Sequence, residues 1–254
     1  DGTSNQPIVF TANTAGTWNR IYFDDPSSDA VVLSDGTYQS GTLLRHVQVQ
    51  GAANGLVCNS ATPFLAHLTL DTGGINCPLG SSPFWLLDST VTGNVSASGD
   101  GKVWRSTIGG SISLGSGSVE NSTAGGSVSL SRGTVVSTTV TNGSISLSAG
   151  TVLSNTVQRG GISIGTGSTV RGNNVEQAPG TAIQTGGTVT VTANRVVESS
   201  GAGIVVSTGL VQGNLIAGSA GDGLRVGAAT VISNTFTGVR GRALYTGGGS
   251  HSRS

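Results

Sequence analysis

Short pairs of apolar residues, separated by a single residue, recur along almost the whole chain. Ile145 and Leu147 flank Ser146, and Ile162 and Ile164 flank Ser163 in the same way. Further pairs with this spacing are Leu56/Cys58, Ile75/Cys77, Val95/Ala97, Ile112/Leu114 and Val128/Leu130. Because the side chains of a β-strand point alternately to opposite faces, each pair predicts a short strand with one face buried.

A second column of hydroxyl and amide side chains repeats out of phase with the apolar pairs. It contains Ser89, Ser106, Ser122, Thr138, Asn155, Asn173, Asn194, Asn214 and Asn234, at steps of 16 to 21 residues. The steps vary while the column persists. This is typical of a coiled chain whose strands have a constant length and whose turns do not.

The two columns predict an all-β fold, a parallel β-solenoid of roughly ten coils with three short strands per coil, in which neighbouring coils lie about 4.8 Å apart. In this geometry the polar column becomes an Asn/Ser ladder. Asparagine tolerates the left-handed backbone of a tight corner, and stacked amides hydrogen-bond along the axis. Helical repeats fit poorly, because they need periods of about thirty residues or more and better helix formers than Gly, Ser, Thr and Val.

Several segments resemble one known group of solenoids. Val170-Arg-Gly-Asn-Asn-Val175 and Val211-Gln-Gly-Asn-Leu-Ile216 are similar to repeats of the pectate-lyase-like right-handed parallel β-helix superfamily. Pro7–Phe10 and Trp18–Phe23 resemble coils of secreted bacterial β-helix proteins. The resemblance implies a right-handed β-helix. It does not imply one activity, since the superfamily contains lyases, hydrolases, epimerases and adhesins.

The repeat covers most of the chain and predicts a single β-helix domain over residues 1–246. Residues 24–42 interrupt the first coil, and we expect them to project from it as an excursion with a turn at residues 34–36. Residues 247–254 are rich in Gly and Ser and predict a flexible tail. Methionine is absent, also at position 1, so we expect a processed product or a segment of a longer protein.

Composition argues against two classes of partner. The formal net charge of the 254 residues is +0, and the 12 basic residues are scattered, whereas nucleic-acid binding needs clustered positive charge. The chain has no run of about eighteen apolar residues, so membrane insertion is not expected. The 42 glycines and 9% charged residues would suit a linker, but the regular apolar positions do not.

Four titratable residues follow one another immediately before the polar column: His46, His67, Asp88 and Arg105. On neighbouring coils these side chains would come close enough to pair, which would give an acid–base or metal-binding patch. Alternatively, they form a solvated row of complementary charges that stabilises the stack slightly. We favour this second interpretation, because catalytic sites are a minority of such charge pairs.

Acidic residues cluster only in the excursion, at Asp24, Asp25 and Asp29. A lyase of this fold would carry an acidic calcium cluster beside a base, so these residues are the candidate calcium ligands. Their spacing does not match a known calcium loop, and turn residues or caps are the favoured interpretation. We therefore expect no cofactor and no metal, with calcium as the alternative.

Cys58 and Cys77 occupy equivalent places in successive coils, which predicts Cα atoms within disulfide range. A disulfide and two stacked buried thiols both fit this geometry. We favour the disulfide, because the chain otherwise has the character of an extracellular protein.

Some apolar residues stand where the alternation points outward. They are Leu87, Trp104, Val136, Leu153 and Ile232. An outward apolar stripe on a chain without net charge predicts contact with a partner or with another copy. The alternative is that an insertion covers this face.

These features favour a secreted or cell-surface structural β-helix without enzymatic activity, which self-associates into extracellular fibres or stacks on neighbouring coils. The alternative function is polysaccharide binding, or lyase-like polysaccharide cleavage, through the His46/His67/Asp88/Arg105 face. Ice binding is a third hypothesis, because Thr90, Thr107 and Thr123 align outward. Strand propensity alone also explains threonine at solvent-facing positions.

Overall fold

A computed structural model describes residues 1–12, 16–24, 27–33, 35–78 and 83–247, and the backbone of residues 251–253. The chain divides into two compact units, unit 1 (Asp1–Gly125) and unit 2 (Gly126–Ser254). Each unit is a parallel β-solenoid, and together the units contain about 10 turns, as the sequence repeat predicts. In the described part of the chain there is no helix that could cross a lipid bilayer.

Unit 1 begins with short strands and then alternates longer strands with short ones. Its strands are β1 (Ile8–Phe10), β2 (Ile21–Phe23), β3 (Val31–Val32), β4 (Tyr38–Ser40), β5 (Leu43–Val49), β6 (Leu56–Cys58), β7 (Phe64–Leu70), β8 (Ile75–Cys77), β9 (Phe84–Leu87), β10 (Thr90–Val91), β11 (Val95–Trp104), β12 (Thr107–Ile108), β13 (Ile112–Glu120) and β14 (Thr123–Ala124).

The coils of unit 2 follow one pattern, in which the first two strands are either separate or joined into one long strand. Its strands are β15 (Val128–Val136), β16 (Thr139–Val140), β17 (Ile145–Leu153), β18 (Thr156–Gln158), β19 (Ile162–Ile164), β20 (Ser168–Arg171), β21 (Asn174–Glu176), β22 (Ile183–Thr185), β23 (Thr188–Thr192), β24 (Arg195–Val197), β25 (Ile204–Gln212), β26 (Leu215–Ala217), β27 (Leu224–Ile232), β28 (Thr235–Thr237), β29 (Leu244–Thr246) and β30 (His251–Arg253).

The predicted apolar pairs form the interior of each unit. In unit 1, Leu56 pairs with Ile75, which pairs with Val95, and all three are buried. In unit 2, Ile145 pairs with Ile162, which pairs with the buried Ile183. Residues 16 to 21 positions apart therefore lie over one another, and the predicted registry is confirmed.

The polar column forms a hydrogen-bonded ladder in both units. In unit 1, the backbone N–H of Ser89 donates to Ser106 Oγ over 3.1 Å, and the N–H of Ser106 donates to Ser122 Oγ over 3.1 Å. In unit 2, Thr138 N donates to Asn155 Oδ1, and both the backbone and the side-chain amide of Asn155 donate to Asn173 Oδ1. The predicted ladder is thus confirmed, and the amides of unit 2 make more bonds per rung than the hydroxyls of unit 1.

The left-handed corner lies one residue earlier than the sequence suggested. The residue before each ladder position has a positive φ, for example 56° at Ser154 and 54° at Ala193, whereas Asn155 and Asn194 do not. Tolerance of left-handed backbone is therefore not the reason for the asparagines. They are favoured because their amides pair along the stack while remaining almost fully buried.

Some coils join two of the predicted short strands into one. Residues 168–185 keep three separate strands, whereas β17 runs over nine residues from Ile145 to Leu153. Within β17, Gly150 has a φ of 139°, and an added Cβ would come within 1.9 Å of Gly133 O. The neighbouring coil therefore excludes a residue with a side chain from this position.

The excursion packs against the side of unit 1. Its strands β3 and β4 form an antiparallel pair, with Val32 opposite Tyr38. The N–H of Ala30 donates to Thr62 O over 2.8 Å, and the N–H of Thr62 donates to Asp29 Oδ1 over 2.8 Å. These bonds hold the excursion along the strand that begins at Phe64.

The segment expected to be a flexible tail contains β30, whose backbone pairs in parallel with β27, with Val231 opposite Ser252. Residues 248–250 and 254 lie outside the described part of the chain, as does Ser34, the first residue of the predicted turn.

Candidate functional site

The predicted charged column lies at the left-handed corners of unit 1. His46, His67, Asp88 and Arg105 have φ values of 52°, 51°, 49° and 47°, and Asn121 continues the series at 50°. Outside glycine, this conformation is most frequent for Asn, Asp and His. The backbone of the corner therefore accounts for much of the composition of the column.

His46 and His67 lie on adjacent coils with their rings in contact. Their flanking residues pair in register, Arg45 with Ala66 and Val47 with Leu68. The ring centroids are 4.4 Å apart and the planes differ by 4°. Desolvation of the His46 ring lowers its pKa, and the charges of His67 and Arg45 lower it further. The stack therefore favours neutral imidazole at His46.

Asp88 and Arg105 form the second half of the column. Arg105 Nε and Nη2 each donate to one carboxylate oxygen of Asp88 over 2.6 Å. The guanidinium also lies 3.5 Å from the centroid of the Trp104 ring. The hydrogen bonds from Arg105 lower the pKa of Asp88, and those same bonds raise the pKa of Arg105. The carboxylate of Asp88 and the guanidinium of Arg105 thus form a bidentate ion pair.

This ion pair should make the stability of unit 1 dependent on acidic pH. Because the folded pKa of Asp88 lies below its ordinary value of 3.8, the pair stabilises the fold above about pH 4, and this stabilisation is lost as the pH falls through the folded pKa. Arg105 is half exposed, so we expect only about 0.5–1 kcal/mol. Urea unfolding between pH 2 and 7 measures the effect.

Asp88→Asn is the matched variant, because asparagine occupies the same corner at Asn121. The variant should lose the part of the acid dependence that comes from this pair, whereas the contributions of Asp35 and Asp222, whose pKa values are also lowered, should remain. An unchanged difference in stability between pH 2 and pH 7 would show that the pair does not contribute.

The candidate calcium ligands serve as hydrogen-bond acceptors where the structure describes them. Asp24 Oδ1 accepts from Asn59 Nδ2 over 2.9 Å, and Asp29 Oδ1 accepts from Thr62 N. Asp25 lies outside the described residues. No group of three or more acidic, histidine or cysteine side chains within the described ranges is arranged to hold a metal ion.

The outward apolar residues differ in what covers them. Leu87 is buried with Ala30 of the excursion, Phe64 and Ala66, and Trp104 packs half-buried against this cluster. At this part of unit 1 the excursion thus covers the apolar face. The cluster also includes Phe64, which the sequence analysis missed; an aromatic residue at an outward position near an excursion was the available signal.

In unit 2 the apolar positions do not form a continuous stripe. Val136 and Leu153 are half-buried neighbours in register. The next positions in this column are Arg171, Thr192 and Gln212, and only then Ile232. Polar side chains therefore separate Ile232 from the other two.

Cys58 and Cys77 are joined by a disulfide, with Cα atoms 4.5 Å apart. Both residues are buried in the interior of unit 1, and the bond links two successive coils. The predicted distance is confirmed.

A shallow groove of about 610 Å³ crosses the outer surface of unit 1, away from the charged column. Arg20, Asn54, Asn76 and Asn94 contribute polar groups to its lining. Asn54 and Asn94 already take part in hydrogen bonds, to Asn19 Oδ1 and from Ser111 N. The groove and the predicted catalytic residues are thus separate features.

The first coil exposes apolar side chains that the sequence analysis did not single out. Ile8 and Phe10 pair in register with the core residues Val47 and Val49, yet each is 39% exposed. Because Val47 and Val49 point inward, Ile8 and Phe10 face the interior of the stack, on the side of β1 that no described strand pairs with.

No family model, curated protein or solved structure matches the chain.

Proposed function

We propose that the chain is a secreted or cell-surface structural protein with the right-handed β-helix of the pectate-lyase-like superfamily. In this proposal, copies associate through the open face of the first coil and form extracellular fibres. The observation that carries the proposal is the exposure of Ile8 and Phe10 at inward positions of β1.

An open coil face offers two kinds of interaction at once. Within the described residues, β1 pairs only with β5, so its other edge presents unpaired backbone groups to a further strand. The apolar side chains of β1 would be buried by the coil that supplies this strand. A repeat protein whose open face is apolar rather than polar requires such a neighbour for solubility.

A structural role also agrees with the charged column. Asp88 and Arg105 are bound to each other, and His46 is stacked on His67, so these groups stabilise the stack in their present arrangement. The disulfide supports an extracellular location, since disulfides persist in oxidising compartments.

Replacement of Phe10 by lysine should prevent the association, because it places a charge on the face that would be buried. Wild-type protein should form assemblies that grow with concentration, and Phe10→Lys should remain monomeric. Analytical ultracentrifugation and negative-stain electron microscopy measure both results.

Val31→Lys is the control, because Val31 is 50% exposed but belongs to the excursion rather than to the face of the first coil. It should assemble like the wild type. A wild-type chain that stays monomeric at high concentration, or a Phe10→Lys variant that still forms fibres, would contradict the proposal.

A further inference from the structure

His46 and His67 have a chemistry that the structural role does not use. They are two imidazoles at the same position of adjacent coils. The side-chain hydrogen bonds and ion pairs described above are made by Arg45, Asp88 and Arg105. We propose that His46 and His67 together bind a divalent transition-metal ion of the zinc, nickel and copper class.

The two rings are close enough to reach one ion once they rotate out of the stack. A zinc ion lies about 2.0–2.1 Å from each ligand nitrogen, so two imidazole nitrogens around a tetrahedral ion are about 3.3 Å apart. The ring centroids are 4.4 Å apart, and the ring planes differ by 4°. Because an imidazole nitrogen binds a metal along a lone pair that lies in the ring plane, each side chain must turn until both lone pairs point to the same ion.

The backbone holds the two side chains side by side. Both residues have a left-handed conformation, with φ values of 52° and 51°, and their neighbours pair in register. The two Cα–Cβ bonds consequently leave the stack at equivalent points. Such preorganisation lowers the entropic cost of bringing two ligands to one ion.

The site is open to solvent and its neighbouring charges are already paired. His67 is exposed and His46 is half-buried, so water can fill the remaining coordination positions. Arg45 beside His46 donates to the carboxylate of Asp1, and Asp88 on the next coil accepts from Arg105. A bound cation would therefore meet two compensated ion pairs rather than free positive charge.

The ligand type determines the class of ion. Neutral imidazole suits zinc, copper and nickel, whereas calcium and magnesium prefer oxygen ligands. Two protein ligands with several waters give an exchangeable site rather than a buried structural one. We expect the ion to join two adjacent coils, and thus to stabilise unit 1 by an amount that rises with the logarithm of the free metal concentration above the Kd.

Calorimetric titration of the whole chain with Zn²⁺ or Ni²⁺ tests the site. His46→Asn and His67→Asn are the appropriate variants, because asparagine is found at the same corner in Asn121. Loss of a residue that only hydrogen-bonds to a metal ligand weakens metal binding by about 10–100-fold. Loss of one of two residues that bind the ion directly should therefore weaken it at least about tenfold. His251→Asn, which removes the third histidine of the sequence, should bind like the wild type.

A second measurement does not depend on any variant. In the wild-type protein, Zn²⁺ should shift the imidazole NMR resonances of His46 and His67 together, with the same midpoint as the calorimetric titration. The proposal is overturned if neither set of ring resonances moves, or if both asparagine variants retain wild-type affinity. Calcium at the same concentration should produce no shift.

Discussion

Replacement of Asn194 by alanine should lower the free energy of unfolding by about 3–5 kcal/mol, one of the largest effects of any single side chain in unit 2. Asn194 Oδ1 accepts from both the backbone and the side-chain amide of Asn173, over 3.0 and 2.9 Å. Its own Nδ2 donates to Val170 O and to Asn214 Oδ1. Alanine would leave these buried groups unpaired. Chemical denaturation followed by circular dichroism measures the change.

Asn174→Ala is the matched control for this prediction. Asn174 belongs to a neighbouring strand, and its side chain bonds Arg195 and Glu176 at the surface. Its loss should cost less than about 1 kcal/mol, since surface pairs contribute little. Asn194→Ser should be intermediate, because serine keeps one acceptor, as Ser106 does in unit 1. Equal costs for Asn194→Ala and Asn174→Ala would contradict a stabilising role of the ladder.

Replacement of Phe64 by alanine should weaken the packing of the excursion by about 3–5 kcal/mol. Phe64 is 5% exposed and lies between Tyr38 of the excursion and Trp85, with ring centroids 5.6 and 6.4 Å away. Alanine would remove the centre of this aromatic row and leave a cavity beneath the excursion. Hydrogen exchange should become faster at the N–H of Ala30 and of Thr42, which donate to Thr62 O and Ser28 O.

Tyr22→Ala serves as the comparison, because Tyr22 is 46% exposed and its ring contacts Arg20 at the surface. Its removal should change stability by less than about 0.5 kcal/mol. If Phe64→Ala leaves exchange at Ala30 unchanged, the hydrogen bonds to Thr62 hold the excursion without help from the aromatic contacts.

In the charged column, the alignment of the residues could be predicted from the sequence, but their side-chain contacts could not. Its alignment on neighbouring coils was predictable, because residues at equivalent points of a repeat stack. Whether Asp88 binds His67 or Arg105 stayed open, since Asp88 has one of them on each adjacent coil and only side-chain geometry decides between them. The left-handed backbone that favours His, Asp and Asn at this column was also not apparent from the residues.

The sequence by itself determined the coils, the interior column and the ladder. Period-two alternation and a recurring asparagine depend only on the geometry of the strand and on the spacing between coils, so both are legible along the chain. Only the tertiary structure decided which outward apolar residues are covered. Leu87 is buried by Ala30, a residue far away in sequence, whereas Ile8 points inward and is still exposed because no described strand pairs with the other edge of β1. Burial on a solenoid depends on what packs on each face, and that depends on non-local packing rather than on the repeat.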